Sequence, residues 1–274
     1  QRSGRRVPWL YDWFMDCALR AQREFFQRHP FDPLDLGTVP IGFECLKIRC
    51  TTGNANSSSI YLFGVESNQT HFNVYRSFAR PGTSAIDVGA NLGIHALVLA
   101  ACVGDGGKVY AFEPVPSICA KMKENLRLNR VSNVELHEGA LGSSRGEVVF
   151  DANAADFNIG KGRVNLQGDI TVPITTIDCQ FGDVTLPVSM VKIDTEGHEL
   201  EVLKGAVGLL GKHRPAILME FNPESYSLLD IRHHIPDRYT GFELPQRVGQ
   251  KFRLIGRQPH PGCELLMVPD ERLR

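Results

Sequence analysis

The chain has 274 residues, enough to bury one full α/β core with some decoration. Thirty lysines and arginines against thirty-one aspartates and glutamates leave a net charge of −1, which excludes the broad basic footprint of a nucleic-acid binder. No apolar run approaches the ~20 residues of a membrane span, so no contact with a membrane is expected. The cysteines, Cys17, Cys45, Cys50, Cys102, Cys119, Cys179 and Cys263, show no Cys-x-x-Cys pair, which argues against a zinc knuckle or redox pair. They read as reduced thiols, as in the cytoplasm. Two Asn-x-Ser/Thr triplets, at Asn56 and Asn68, then read as chance rather than glycosylation. The basic start, Gln1 to Arg6, is followed by Asp12 and Asp16 and makes a poor signal peptide; without an initiating methionine, a preceding piece is expected.

Val7 to Arg28 places Trp9, Leu10, Trp13, Phe14, Cys17, Ala18, Ala21, Phe25 and Phe26 mostly at three- and four-residue intervals, which predicts an amphipathic helix. His29-Pro30 and Pro33 stop it. Such a helix fits a docked element, a lid over a site or a homodimer contact. Phe43 to Cys50 and Ile60 to Phe63 predict two strands around the polar loop Thr51 to Ser59, and a helix then runs to Arg80. Residues 1–80 therefore read as a helical and β-hairpin cap, not independent, on a core of residues 81–274.

The core is organised around residues 84–114. Ala85, Ile86 and Val88 form a short apolar run, as a strand buried on both faces would. Gly89, Ala90 and Gly93 permit a tight turn and close approach of a ligand. Ile94 to Val103 suits a buried helix, and Val109 to Phe112 predicts a second strand ending at Glu113 and Pro114. This is a β-α-β unit with an acid after its second strand. A dinucleotide would also place an acid about 20 residues on. However, the Gly-x-Gly-x-x-Gly fingerprint is interrupted by Asn91, and Asp87 would repel a pyrophosphate. An acid there suits S-adenosylmethionine, which carries an amino group, a sulfonium and a ribose but no phosphate. Asp87, Gly89 and Gly93 resemble motif I of class I methyltransferases, Asp/Glu-x-Gly-x-x-x-Gly.

Further along, Ser117 to Asn129 predicts a helix and Val134 to Leu141 a third strand, whose Glu138, Gly139 and Ala140 should reach the adenine edge of the same ligand. Glu147 to Phe150 and Ile170 to Ile177 predict two strands that pair beside the crevice, and the loop 151–169, with Phe157 and Asn158, is expected to touch substrate. Val188 to Ile193 is a strand, with Asp194, Glu196 and His198 at its carboxyl end and a helix over Leu200 to Leu210. Ala216 to Met219 is a strand ending in Glu220 and Asn222. Asp194, Glu220 and Asn222 form an oxygen set of the kind Mg²⁺ uses, but no spacing fixes a metal, so Mg²⁺ is the less favoured expectation. His95 and His198 are the neutral-pH bases on offer. His95 also fits a hydrogen-bonded core position. Glu196 and His198, with Asp194, are the candidates for catalysis.

Taken together, Ile60 to Gly64 with Glu66, Asp87 to Gly93 with His95, Val109 to Pro114, Asn133-Val134 leading to Ala140 to Gly142, and Lys192 to Glu199 running into Glu201 to Gly205 resemble the FkbM-type S-adenosylmethionine-dependent methyltransferases. The resemblance spans roughly Ile60 to Pro269. It implies a doubly wound, Rossmann-like sheet of seven mostly parallel strands with the last antiparallel, supplied by Phe252 to Ile255 and Cys263 to Val268. It also implies methylation of an oxygen on a sugar, polyketide or other secondary metabolite. The rival readings are N- or C-methylation, a macromolecular acceptor, a non-catalytic cofactor-binding module, and an NAD-dependent dehydrogenase. The absence of an Asn/Asp-Pro-Pro-aromatic motif after the strand Val188 to Ile193, where Asp194-Thr195-Glu196-Gly197 stands, weakens the first, and intact Asp87, Gly89 and Glu113 weaken the module.

Overall fold

The computed structural model describes residues 35–41, 43–51, 69–151, 163–164, 168, 170–182, 184–245, 251–255, 259–260 and 263–273. The helix expected over 7–28, the strand expected over 60–63 and most of the loop 151–169 lie outside them. In chain order, a hairpin of β1 (Asp35–Pro40) and β2 (Lys47–Thr51) leads to α1 (Gln69–Phe78), β3 (Ser84–Val88), α2 (Ile94–Val103), β4 (Lys108–Glu113), α3 (Pro116–Leu128) and β5 (Val134–Glu138). Four short strands follow: β6 (Ala140–Leu141), β7 (Gly146–Asp151), β8 (Arg163–Val164) and β9 (Ile170–Thr175). Then come α4 (Ile177–Phe181), β10 (Val188–Ile193), α5 (Glu199–Lys204), α6 (Val207–His213), β11 (Ala216–Glu220), α7 (Leu228–His234), β12 (Tyr239–Glu243), β13 (Arg253–Leu254) and β14 (Glu264–Pro269).

The main sheet has the order β13-β12-β14-β11-β10-β3-β4-β5. β5, β4, β3, β10 and β11 run parallel, β14 is antiparallel to β11, and β12 is antiparallel to β14. The order reverses between β3 and β10, which is the switch point where a doubly wound sheet opens its crevice. Every residue of β3 and β10 is buried, as their apolar runs demand. α1 packs on α2, whose ten residues include seven buried ones, so the helix has to be apolar nearly all round. One face of the sheet packs against α1, α2 and α3, and the other against α4 to α7.

Four expectations change. The third strand ends at Glu138; after Gly139 the chain crosses to a second sheet of order β6-β9-β7-β8, in which β7 and β9 pair antiparallel as expected. The helix expected over 200–210 breaks at Gly205, where a Cβ would lie 2.0 Å from Gly142 O, and Asp178 restarts it by accepting the Gly208 and Leu209 N–H groups at 2.8 and 2.7 Å. The seven strands include β12, which the sequence reading missed along with α7, while Arg253–Leu254 is an eighth, two-residue edge strand. Finally, β2 pairs with Asp35–Pro40. Its outer edge is held by Asn125 of α3, whose Oδ1 accepts Arg49 N–H at 2.9 Å, and by Asn129 just after that helix, which bonds both backbone groups of Lys47 at 2.8 and 2.7 Å.

Candidate active site

The turn after β3 is built by its neighbours. Gly89 and Ala90 both donate their N–H to Phe112 O, at 3.0 and 2.9 Å, which stitches the turn to β4. Gly89 has φ +76°, and a Cβ there would lie 1.8 Å from Asp194 O, so the turn closes against β10 only with glycine. Gly93, with φ +86°, begins α2 with Met122 close against it. Between them Asn91 is held at φ +50°, its Oδ1 accepting Leu92 N–H at 2.8 Å.

Glu113 lies beneath this turn. One carboxylate oxygen accepts Asn91 N–H and the other Val115 N–H, each at 3.0 Å. Only 5 % of the residue is exposed, and burial pushes its carboxyl up to about 7 against those two hydrogen bonds. Gly139 N–H donates to Glu113 O at 3.1 Å, so Glu138, Gly139 and Ala140 meet the Glu113-Pro114 end of β4. The Glu138 side chain is on the surface, paired with Lys123.

Asp87 is fully buried rather than facing an open crevice. In register beside it on β10 is Lys192, whose Nζ lies 3.2 Å from Asp87, 3.6 Å from Asp194 and 2.8 Å from Gly89 O. Burial raises the Asp87 carboxyl, although Lys192 pulls it down. For Lys192, burial acts to lower the ammonium, but Asp87 and Asp194 outweigh it and hold it above its usual range. The sequence reading left Lys192 out of the site, although a lone lysine in a strand buried on both faces is a pairing signal.

The loop after β10 closes on Glu199, a second residue missing from that reading. Glu199 is fully buried, and its Oε1 accepts Thr195 N–H (2.8 Å), Thr195 Oγ1–H (3.0 Å) and Gly197 N–H (3.0 Å). Its Oε2 accepts the Tyr226 hydroxyl at 2.9 Å. Burial, then Glu199, pushes the Tyr226 phenol far above its usual range, so it remains a donor. This ring of bonds fixes Glu196 at φ +53° and Gly197 at φ +103°. Asp194 is part-exposed at the rim. His198 precedes α5 with Nε2 shut off from solvent, without a hydrogen-bond partner among the described residues and close to Gly142, which follows β6. Burial lowers its imidazole, with Glu201 and Glu199 pulling the other way.

His95 takes the hydrogen-bonded place the sequence allowed: its Nδ1 is 2.9 Å from the buried Tyr75 hydroxyl. Burial, then Lys192 and His71, hold it well below the usual imidazole range. Of the expected metal set, Asn222 Oδ1 is taken by Glu224 N–H at 3.1 Å. Among the described residues no group of three or more His, Cys, Asp or Glu side chains could hold a metal ion. Nor is any described helix long and apolar enough to cross a membrane. A separate cleft of about 500 Å³, lined by Lys108, Tyr110, Glu135, His137 and Phe181, lies on the β4–β5 face away from the turn.

The strand order and the glycine turn at the switch point define a Rossmann-like, class I methyltransferase fold. The methyltransferase FkbM domain matches residues 87–244, and the chain belongs to that family. It is similar to hexuronic acid methyltransferase AglP of Haloferax volcanii, 36 % identical over 126 residues, which are 45 % of this chain and 50 % of that one. It is also 39 % identical over 147 residues to protein-L-isoaspartate O-methyltransferase of Methanothrix thermoacetophila, covering 49 % of this chain and 64 % of the relative. The chain thus matches half to two thirds of the length of these relatives. The crystal structure of methyltransferase FkbM from Methylobacillus flagellatus superposes with a TM-score of 0.47 at 18 % identity, over 78 % of this chain and 54 % of that chain.

Proposed function

We propose that this protein transfers a methyl group from S-adenosylmethionine to an oxygen of a small-molecule acceptor, a sugar, polyketide or other secondary metabolite. The observation that carries it is the turn: glycine closed against Asp194, an acid at the end of β3 and another at the end of β4. Nothing in that donor set suits a phosphate, because the Lys192 ammonium is spent on Asp87 and Gly89 O. It does suit a cationic, ribose-bearing ligand. On this reading Asp87, through Lys192, and Gly89, Ala90, Asn91 and Gly93 shape the seat of the donor. Glu113 with Pro114 takes the ribose hydroxyls, Glu138, Gly139 and Ala140 border the adenine, and Asp194 borders the methionyl end. When bound, this ligand supplies an electrophilic methyl on sulfur.

The acceptor lies beside Asp194, at the carboxyl ends of β10 and β11. Proximity supplies much of the rate there, and the bonds to Glu199 keep the loop after β10 rigid. The relative named as a hexuronic acid methyltransferase supports a sugar as the acceptor. We further read residues 1–80 as a cap on the core 81–274, with a homodimer contact through its helix, in a cytoplasm that the unpaired thiols fit.

Calorimetric titration with S-adenosylhomocysteine, with and without EDTA and with NADH as the control ligand, tests the reading. Micromolar binding that EDTA leaves intact and Glu113→Ala destroys is expected. Saturation by NADH with no response to the homocysteine product would sink it.

A further inference from the structure

α1 places a second titratable group over the same end of the sheet. His71, 8 % exposed, is paired through Nε2 with Oε2 of Glu264, the first residue of β14. Glu264 stands in register opposite Glu220, on the sheet face that also carries Asp87 and Lys192. Across from His71 is His95 of α2, ring centroids 5.4 Å apart and nearly perpendicular, with Tyr75 one turn further along α1. An ionised carboxylate only accepts hydrogen bonds, so Nε2 carries a proton, and in the neutral imidazole Nδ1 then carries the lone pair. That Nδ1 is buried and without a hydrogen-bond partner among the described residues. A buried acceptor nitrogen is costly to leave bare, and the group that completes it must bring a proton.

We infer that the missing partner is the hydroxyl of the acceptor and that His71, positioned by Glu264, takes its proton during methyl transfer; this rests on the function proposed above. In that step the acceptor oxygen forms the new O–CH₃ bond, and the C–S bond breaks with its electron pair remaining on sulfur. The O–H proton passes to His71 Nδ1, giving an imidazolium paired with Glu264. The acceptor is therefore a neutral hydroxyl, because a carboxylate has no proton to offer Nδ1. His95 cannot take this part in the same way, since its Nδ1 is already bonded to Tyr75.

Two measurements test this. The first needs no acceptor: ¹H–¹⁵N correlation spectra of the full chain saturated with S-adenosylhomocysteine at pH 7.5. His71 is expected with its proton on Nε2 alone, and Glu264→Gln should mix the two tautomers. A doubly protonated His71, or one protonated on Nδ1, overturns the inference. The second uses radiolabelled S-adenosylmethionine with methyl α-D-glucopyranoside and with glucuronate as probes. With either, an alkali-stable ether is the expected product, and His71→Gln should lower kcat about a hundredfold or more while the Kd for S-adenosylhomocysteine stays within about threefold. A variant keeping more than about a tenth of kcat, a variant losing homocysteine binding, or an alkali-labile methyl ester as product overturns it. Should neither sugar be methylated, the tautomer result decides alone. Failure of the unmodified chain to bind S-adenosylhomocysteine sinks the methyltransferase reading instead, a result distinct from all of these.

Discussion

Replacing Glu199 tests the support of the acid loop without reference to any substrate. Its carboxylate holds three donors on one oxygen and Tyr226 on the other. Glu199→Ala strands the part-buried Thr195 and Gly197 N–H groups, at about 1–3 kcal/mol each. Tyr226 keeps a second acceptor, Glu220 O at 2.9 Å, and adds little. With the lost packing the total comes to roughly 3–5 kcal/mol, a large share of the 5–15 kcal/mol a domain typically has. Glu199→Gln keeps one carbonyl oxygen for the three donors and turns its amide toward the Tyr226 oxygen. That substitution should cost about 1–2 kcal/mol. Urea unfolding measures both, the midpoint shifting at unchanged slope. Hydrogen exchange at Thr195 and Gly197 should accelerate in the alanine variant before the strands do. An alanine variant within about 1 kcal/mol of the parent, or equal to the glutamine variant, would refute the claim that this carboxylate holds the loop.

Three further outcomes are expected. Gly89→Ala forces an L residue to φ +76° and a methyl group into Asp194 O, so β3 and β10 must part; Tm should fall by about 10 °C or more, and a drop under 3 °C contradicts the geometry. Lys192→Met strands Asp87 and should cost about 3–5 kcal/mol, while adding Asp87→Asn should restore at least half in chemical denaturation; no recovery means the pair is not what matters. Glu113 gives a pH signature. Its folded carboxyl is at about 7 and its unfolded value is 4.5, so between these the folded state binds the extra proton. Stability then decreases as pH rises through that window, by about 3 kcal/mol in all, opposite to the usual acid, and Glu113→Gln should remove the slope. Affinity for S-adenosylhomocysteine should move the other way, rising toward pH 8 as Glu113 ionises to accept the ribose; a flat profile in both rules out the buried carboxyl.

Much of this fold was legible because its centre is hydrophobic on both faces. β3, β10 and β11 are mostly apolar runs broken by single polar residues such as Asp87 and Lys192, and each came out within a residue or two of its expected bounds. What escaped depended on contacts distant in sequence. Nothing local says that the run from Val134 must stop at Glu138; the crossing to the second sheet is set by Gly139, whose N–H bonds Glu113 O and where a Cβ would lie 2.9 Å from Pro173 O. The break at Gly205 comes from Asp178, 27 residues earlier, capping the second half of the helix. By contrast, α7 could have been found, because Ser227 and Asp230 form a capping box with its usual spacing. At the site, the structure brings Gly89, Gly93, Glu113 and Asp194 together around the turn, but motif spacing did not separate acids that face a ligand from acids that hold the protein.

That last point changes how the acids are understood. An acid at the end of a strand has two fates, to face the ligand or to hold the protein that does, and spacing alone does not separate them. Partners separate them. Asp87 is matched by Lys192, and Glu199 by two backbone amides, a threonine and a tyrosine, so both act through what they position. Lys192 in turn cannot serve an incoming phosphate: at 4 % exposure its ammonium is consumed by Asp87, Asp194 and Gly89 O. A pyrophosphate at this turn would meet carboxylates without a free cation among the described residues, whereas a sulfonium and an ammonium would meet the charge they need. On the proposed function, the residues that hold the turn also decide its ligand, which is why losing Lys192 should weaken S-adenosylhomocysteine binding even though its ammonium is buried.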